Sequence, residues 1–111
     1  MARRFLRLDV LFATHPKVVE LSDRAFRAYV SGLCYSAQHL TDGAIPATTV
    51  RLLSTRRTAS ELIDAGLWDQ NGSGVVVHDF LDWQESRAEV EELSSKRADA
   101  GRRGGRGRKQ K

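Results

Sequence analysis

The chain has 111 residues and a mass of 12.4 kDa, enough for one small domain with a single core and too little for a second globular unit. Its 41% apolar and 29% charged residues are ordinary globular composition, and no apolar run approaches the roughly 20 residues that a membrane-spanning helix needs. The net charge of +4 conceals an asymmetry: residues 1–95 carry 10 Lys/Arg against 13 Asp/Glu, net −3, whereas residues 96–111 carry 8 against 1, net +7. A mildly acidic body with a cationic tail is the layout of a folded module bearing a polyanion-binding arm, with a merely solubilising tail as the alternative. Asp9 interrupts the apolar stretch behind Met1-Ala2-Arg3-Arg4 and no small-residue cleavage site follows, so no secretory leader is expected. The single Cys34 cannot form an internal disulfide and fits a reducing cytoplasm.

In chain order, Phe5 to Phe12 is a mixed apolar segment bounded by His15-Pro16 and reads as a short strand or extended arm packed on the body. Pro16 can open a short helix with Val18, Val19 and Leu21 turned inward. Ser22 is a candidate N-cap with Asp23 in the first turn, and Phe26, Val30, Leu33, Ala37 and Leu40 recur at 4, 3, 4 and 3 residues as one helical stripe, widened by Tyr29 and Cys34. Thr41-Asp42-Gly43 signals a turn, and Ile45-Pro46 leads into a second short helix carrying Val50, Leu52 and Leu53. Thr58 and Glu61 have capping-box spacing and mark a third helix, ended by Ala65-Gly66. Leu67–Asp69 and Val75–His78 read as strands of a hairpin around the loop Gln70 to Gly74.

The spacing of Ser86 and Glu89 predicts a further helix over 86–100, with only Val90, Leu93 and a few alanines as its apolar face, stopped at Gly101. Residues 101–111 contain no large apolar group to offset ordering entropy and are expected to be disordered. The expected organisation is therefore a helix-turn-helix domain over 1–85, a helix over 86–100 and a basic Arg/Gly tail over 101–111.

No catalytic, cofactor or metal site is expected. His15, His39 and His78 lack ligand spacing and stand beside one thiol; they read as a loop histidine, a helix-end residue and a strand-end residue. His78-Asp79 with Asp82 and Glu85 could imitate an acid/base cluster, but neither a nucleophile nor a phosphate loop accompanies it. The two short helices between Pro46 and Ala65, followed by a hairpin, suggest a helix-turn-helix whose second helix sets its first turn into a major groove. Arg56, Arg57, Thr58 and Ser60 would lie at the groove, and the small polar tip with Asn71 and Ser73 would touch phosphate as a wing. Glu61, Asp64 and Asp69 make this surface less basic than a strong operator-binder would have, and helix-turn-helix units also dock proteins. Trp68 and Trp83 read as packing residues that close the hairpin onto the helices rather than as stacking partners for bases.

Lys96, Arg97, Arg102, Arg103, Arg106, Arg108, Lys109 and Lys111 supply sequence-independent attraction. If five of them displaced counterions from duplex DNA, the salt slope would be roughly −4 to −5. Arg106-Gly107-Arg108 is akin to the core of minor-groove hooks, though Lys109 stands where a proline usually follows, and the same composition suits RNA.

Leu8-Asp9 to Phe12, His15-Pro16-Lys17, Leu21-Ser22-Asp23-Arg24-Ala25-Phe26, Gly32-Leu33-Cys34-Tyr35, Leu40-Thr41-Asp42-Gly43-Ala44-Ile45-Pro46, Ala65-Gly66-Leu67-Trp68 and Val77 to Gln84 together resemble small proteins of actinobacteria and their phages. These are similar to the N-terminal winged-helix domain of phage replication initiators and replisome organisers of the DnaD-like class, over about residues 5 to 87. The resemblance implies a mainly α winged helix-turn-helix with a small hairpin, double-stranded DNA as partner, and a role in phage replication initiation or gene regulation. By position it implies a recognition helix over Thr58 to Ala65 and a wing over Leu67 to His78. Many relatives continue into a second domain that engages a helicase, whereas here the basic tail follows, so a stand-alone DNA-binder or regulator is an equal expectation. A homodimer partner or a replication protein could join it. The alternative class is a protein adaptor using the helix-turn-helix surface or the 86–100 helix, its tail binding RNA or aiding solubility.

Overall fold

The structure, a computed structural model, describes residues 4–80, 84 and 86–109, with side chains for those up to Ala100. An N-terminal arm leads through a 3-10 turn (Phe12–Thr14) to α1 (Pro16–Val19), α2 (Asp23–His39), β1 (Ala44–Pro46), α3 (Ala47–Leu53), α4 (Arg56–Asp64), β2 (Trp68–Asn71), β3 (Gly74–Val77) and α5 (Arg87–Lys109). The strands form one antiparallel sheet in the order β1-β3-β2. The fold is thus mainly helical with a small three-stranded sheet, and no described helix is long and apolar enough to cross a membrane.

The Ser22 hydroxyl caps α2 by accepting the Ala25 N–H at 3.2 Å, with Asp23 beside the positive end of the helix dipole. Its buried face is Ala25, Ala28, Tyr29, Gly32, Leu33 and Ser36. That face is rotated from the expected stripe: Phe26 and Cys34 are exposed, while Val30, Ala37 and Leu40 are only half-buried. The cause is the sheet, which brings Trp68 and Ile45 against the small residues of α2. A Cβ at Gly32 would stand 2.8 Å from Ile45 Cδ1 and 3.2 Å from Trp68 Cζ2. Trp68 is fully buried, as a packing residue should be, and its Nε1 meets no acceptor among the described residues. Trp83 lies outside the described residues.

α2 ends with Leu40 in the left-handed region, and the turn to β1 is wired by a relay: Gly43 N–H to Ser36 Oγ (2.6 Å), Ser36 Oγ to Thr41 Oγ1 (2.8 Å), Thr41 Oγ1 to Ala44 O (2.6 Å). Gly43 is required there, since its φ is +95° and a Cβ would lie 2.9 Å from Phe80 Cβ. Ile45-Pro46 was expected only to lead into a helix, yet Ala44–Pro46 pairs with β3, Ile45 opposite Val75. A three-residue edge strand is too short to show alternation, and proline is tolerated on an edge. The hairpin turn is the two residues Gly72 and Ser73, shorter than the expected Gln70 to Gly74 loop, because Asn71 and Gly74 pair. Val75 and Val77 point into the core beside Leu67 and Trp68.

The arm joins no strand. Leu6 and Phe12 are half-buried against the core, with the Phe12 ring stacked on Tyr29 at 5.9 Å. Gln84 holds it by accepting the Arg7 N–H at 2.9 Å and donating to Arg7 O at 2.5 Å. Val18 is buried as expected, but Val19 is 61% exposed, since α1 has four residues and successive side chains are about 100° apart.

The Ser86/Glu89 capping box forms: Ser86 Oγ accepts the Glu89 N–H at 3.1 Å and Glu89 Oε1 faces Ser86 N at 3.4 Å. Asp42 adds to it, accepting the Arg87 N–H at 2.7 Å. Beyond half-buried Val90, the described side chains of α5 are exposed. α5 spans 23 residues, about 35 Å, to Lys109, past the Gly101 at which a stop was expected. No proline interrupts it, and acids near its start with cations near its end complement the dipole.

Candidate nucleic-acid interface

The corner between α3 and α4 is built around Thr55. Its Oγ1 accepts the Thr58 N–H at 3.1 Å and donates to Thr58 Oγ1 at 2.9 Å, so Thr55 is the N-cap and α4 begins at Arg56 instead of Thr58. Thr58 is buried with both groups engaged, which removes it from the expected contact residues. Threonine at either position satisfies the same orphan N–H groups, so composition could not separate them.

Glu61 departs further. Instead of reaching back along α4, its carboxylate accepts the Ser22 N–H at 2.7 Å and the Ser22 hydroxyl at 2.8 Å. These bonds, the main-chain one first, hold its carboxyl below the usual range, with Arg57 adding to the effect. Glu61 therefore ties α4 to the start of α2. Arg56, Arg57 and Ser60 are exposed on the first turns of α4, with Asp64 exposed further along. The last turn of α3 adds exposed Arg51 and Leu52, which sequence reasoning missed as surface residues of this corner. The signal was present: half-buried Val50 and Leu53, three residues apart, leave positions 51 and 52 outward. No carboxylate among the described residues pairs with Arg51 or Arg56.

Asn71 and Ser73 are exposed at the hairpin tip but engaged with each other, Asn71 Oδ1 accepting from Ser73 N (3.0 Å) and Oγ (3.2 Å). Ser73 O accepts the Ala47 N–H at 2.9 Å, so the tip is folded onto the head of α3 and not extended away from it. This close approach demands glycine at 74, where a Cβ would lie 2.1 Å from Ile45 O. Lys96 pairs with Glu92 at 3.1 Å, and Arg97 is exposed. Arg102, Arg103, Arg106, Arg108 and Lys109 fall on the last turns of α5, their side chains outside the described ones, and Lys111 is outside the described residues.

The histidines do not converge. His15 Nδ1 accepts the Lys17 N–H at 3.1 Å and caps α1, and the His39 ring lies 4.5 Å from Tyr35 at the end of α2. His78 stands between two carboxylates, Nδ1 at 2.8 Å from Asp69 and Nε2 at 3.3 Å from Asp79. The Asp69 hydrogen bond, then the charges of Asp79 and Asp69, raise its pKa. Asp82 and Glu85 lie outside the described residues. No three His, Cys, Asp or Glu among the described residues gather as a metal site. A cleft of about 300 Å³ opens between the arm and the core, floored by Tyr29, Leu33, Leu67 and Phe80, with Lys17 and His78 among its polar lining.

No protein-family model, curated protein or solved structure matches this chain.

Proposed function

We propose that the chain is a winged helix-turn-helix protein that binds duplex DNA and catalyses no reaction. The carrying observation is the α3–α4 corner: Arg51, Arg56, Arg57 and Ser60 are exposed together, while the Glu61 carboxylate is hydrogen-bonded to Ser22. The element order supports it, since α2, β1, α3, α4, β2 and β3 follow the helix–strand–helix–helix–hairpin plan of that class, with β1 completing the sheet. In this reading the first turn of α4 enters the major groove, Arg51 meets phosphate, and the cations of α5 add sequence-independent affinity. Because the hairpin tip is short and folded onto α3, the wing contributes less than α4. The setting is a bacterial host cytoplasm, in phage replication initiation or phage gene regulation, as the resemblance suggests.

Selection of bound fragments from a random duplex pool tests this. Arg56→Ala with Arg57→Ala should relax sequence preference, and truncation after Ala100 should weaken binding to all sequences and flatten the salt slope by roughly 4 to 5. Failure of the intact chain to retain any duplex in dilute buffer refutes the proposal. A second reading has its own observation: Leu52, 85% exposed at the same corner, suits a protein partner better than phosphate. Leu52→Ser would then abolish capture of a replication protein in high salt while leaving duplex binding intact.

A further inference from the structure

The cleft between the arm and the core takes no part in the proposed nucleic-acid interface. Its volume of about 300 Å³ falls at the small end of cavities that hold small molecules. Tyr29, Leu33 and Phe80 make its core side apolar, and on the arm side Leu8 is 50% and Leu11 68% exposed. An apolar body seated there would cover surface that the arm leaves in water.

The polar lining is lopsided, with donors open and acceptors taken. Tyr29 is only 8% exposed, yet its hydroxyl makes no hydrogen bond among the described residues. Burial, and then the charge of Asp79, raises its pKa, so it stays an O–H donor. The Lys17 ammonium meets no carboxylate among the described residues and lies over Gly66, 3.3 Å from where a Cβ there would stand. Asp79 acts on both Tyr29 and His78, and Lys17 also acts on His78, which places the hydroxyl and the ammonium toward one end of the cleft. His15, in the same lining, accepts the Lys17 N–H at Nδ1, so its neutral ring carries the proton on Nε2 as a further donor. The acceptors are engaged: Asp79 faces His78 Nε2 at 3.3 Å, Asp9 Oδ1 accepts the Leu11 N–H at 2.7 Å, and Gln84 Oε1 accepts the Arg7 N–H at 2.9 Å.

We propose that this cleft binds a small monocarboxylate with an apolar body, its carboxylate between the Lys17 ammonium and the Tyr29 hydroxyl and its body along Leu33 and Phe80. An ionised carboxylate brings acceptors alone, which is what two open donors require, and its single charge matches the one lysine. A cationic head would meet Lys17 as a like charge, and an uncharged head would forgo the ion pair. Asp79 opposes the charge of the ligand, and its contact with His78 offsets part of that opposition. Binding here needs no nucleic acid and stands apart from the proposed DNA-binding role.

Octanoate is the probe, titrated into the intact chain by calorimetry and followed residue by residue in NMR spectra. A Kd on the order of 1 mM or tighter is expected, with the shifts centred on Tyr29, Leu33 and Phe80. Octanol and octylammonium, which share the apolar body, should bind about tenfold more weakly. Lys17→Met keeps most of the stem without the charge and should weaken octanoate about tenfold. Tyr29→Phe should weaken it about fivefold yet leave the urea midpoint unchanged or higher, because the lost hydroxyl bonds nothing in the free protein. Asp79→Asn suits the left-handed backbone at that position, φ +57°, and should tighten binding by removing the opposing charge. The urea midpoints also check that each variant is folded. Octanoate that fails to bind, octanol or octylammonium that binds as well, shifts scattered over the surface, or a Kd unmoved by Lys17→Met and Tyr29→Phe overturns the proposal.

Discussion

Gly32 offers a sharp test of how α2 packs on the sheet. In an exposed helix Gly→Ala gains about 1 kcal/mol from backbone entropy. Here the new methyl would sit 2.8 Å from Ile45 Cδ1 and 3.2 Å from Trp68 Cζ2, and both side chains are buried. Overpacking of this kind costs about 1–3 kcal/mol, so Gly32→Ala should destabilise by about 1 kcal/mol net. For a domain of this size that lowers Tm by roughly 4–8 °C. Ile45→Val removes the nearer atom and alone should cost about 0.5–1.5 kcal/mol through the cavity it leaves. Combined, the methyl at 32 fills that cavity, so the double variant should be about 1 kcal/mol more stable than the sum of the singles. Urea unfolding followed by tryptophan fluorescence measures all four proteins. A stabilising Gly32→Ala, or additivity within about 0.3 kcal/mol, would show that α2 and β1 are not in the contact described.

Thr55→Ala removes the cap of α4 and should cost about 1 kcal/mol in the same unfolding assay, whereas an effect near zero would return the cap to Thr58. His78 should titrate above the usual histidine range by imidazole NMR, and Asp69→Asn should bring it back down; an unmoved titration would deny the hydrogen bond. Because its folded pKa is raised, its contribution to stability is complete below the unfolded value near 6.5 and fades as pH rises through the folded value. In α5, Gly104 and Gly105 each cost about 1 kcal/mol of helix stability relative to alanine. Gly104→Ala with Gly105→Ala should therefore raise helical ellipticity and slow amide exchange over 101–109, and no change would mean that this segment is not helical in solution.

What the sequence made legible was whatever a single segment decides. Ser22, Ser86 with Glu89, and the Asn71 to Gly74 turn each act on backbone groups within three residues, and each forms. The two helices before the hairpin were legible for the same reason. What escaped depends on distant partners. The buried face of α2 is chosen by the bulk of Ile45 and Trp68, so Ala25, Ala28 and Gly32 are inside and Phe26 is not, although apolar periodicity weights the large residues. β1 exists because β3 pairs with it, and nothing within Ala44–Pro46 announces a strand. At the candidate site Arg56, Arg57 and Ser60 were found from composition near a helix start, Thr58 was lost to burial, and Arg51 was missed because a lone arginine in α3 carries no pattern of its own.

Glu61 shows why one motif can serve two outcomes. A helix start presents N–H groups without intrahelical partners, and a carboxylate three residues past a threonine satisfies that need locally. The start of α2 presents the same need at Ser22, and α2 packs against α4, so the carboxylate meets an equivalent demand across the contact. Thr55 can cap α4 from one position earlier, which leaves Glu61 free to do so. The exchange has an electrostatic side as well as a structural one: the two Ser22 bonds and the neighbouring Arg57 charge all favour the ionised carboxylate, so Glu61 keeps its negative charge beside Arg57. Tertiary packing thereby fixes where that negative charge sits, and the same two hydrogen bonds that orient α4 on the body shape the field it presents.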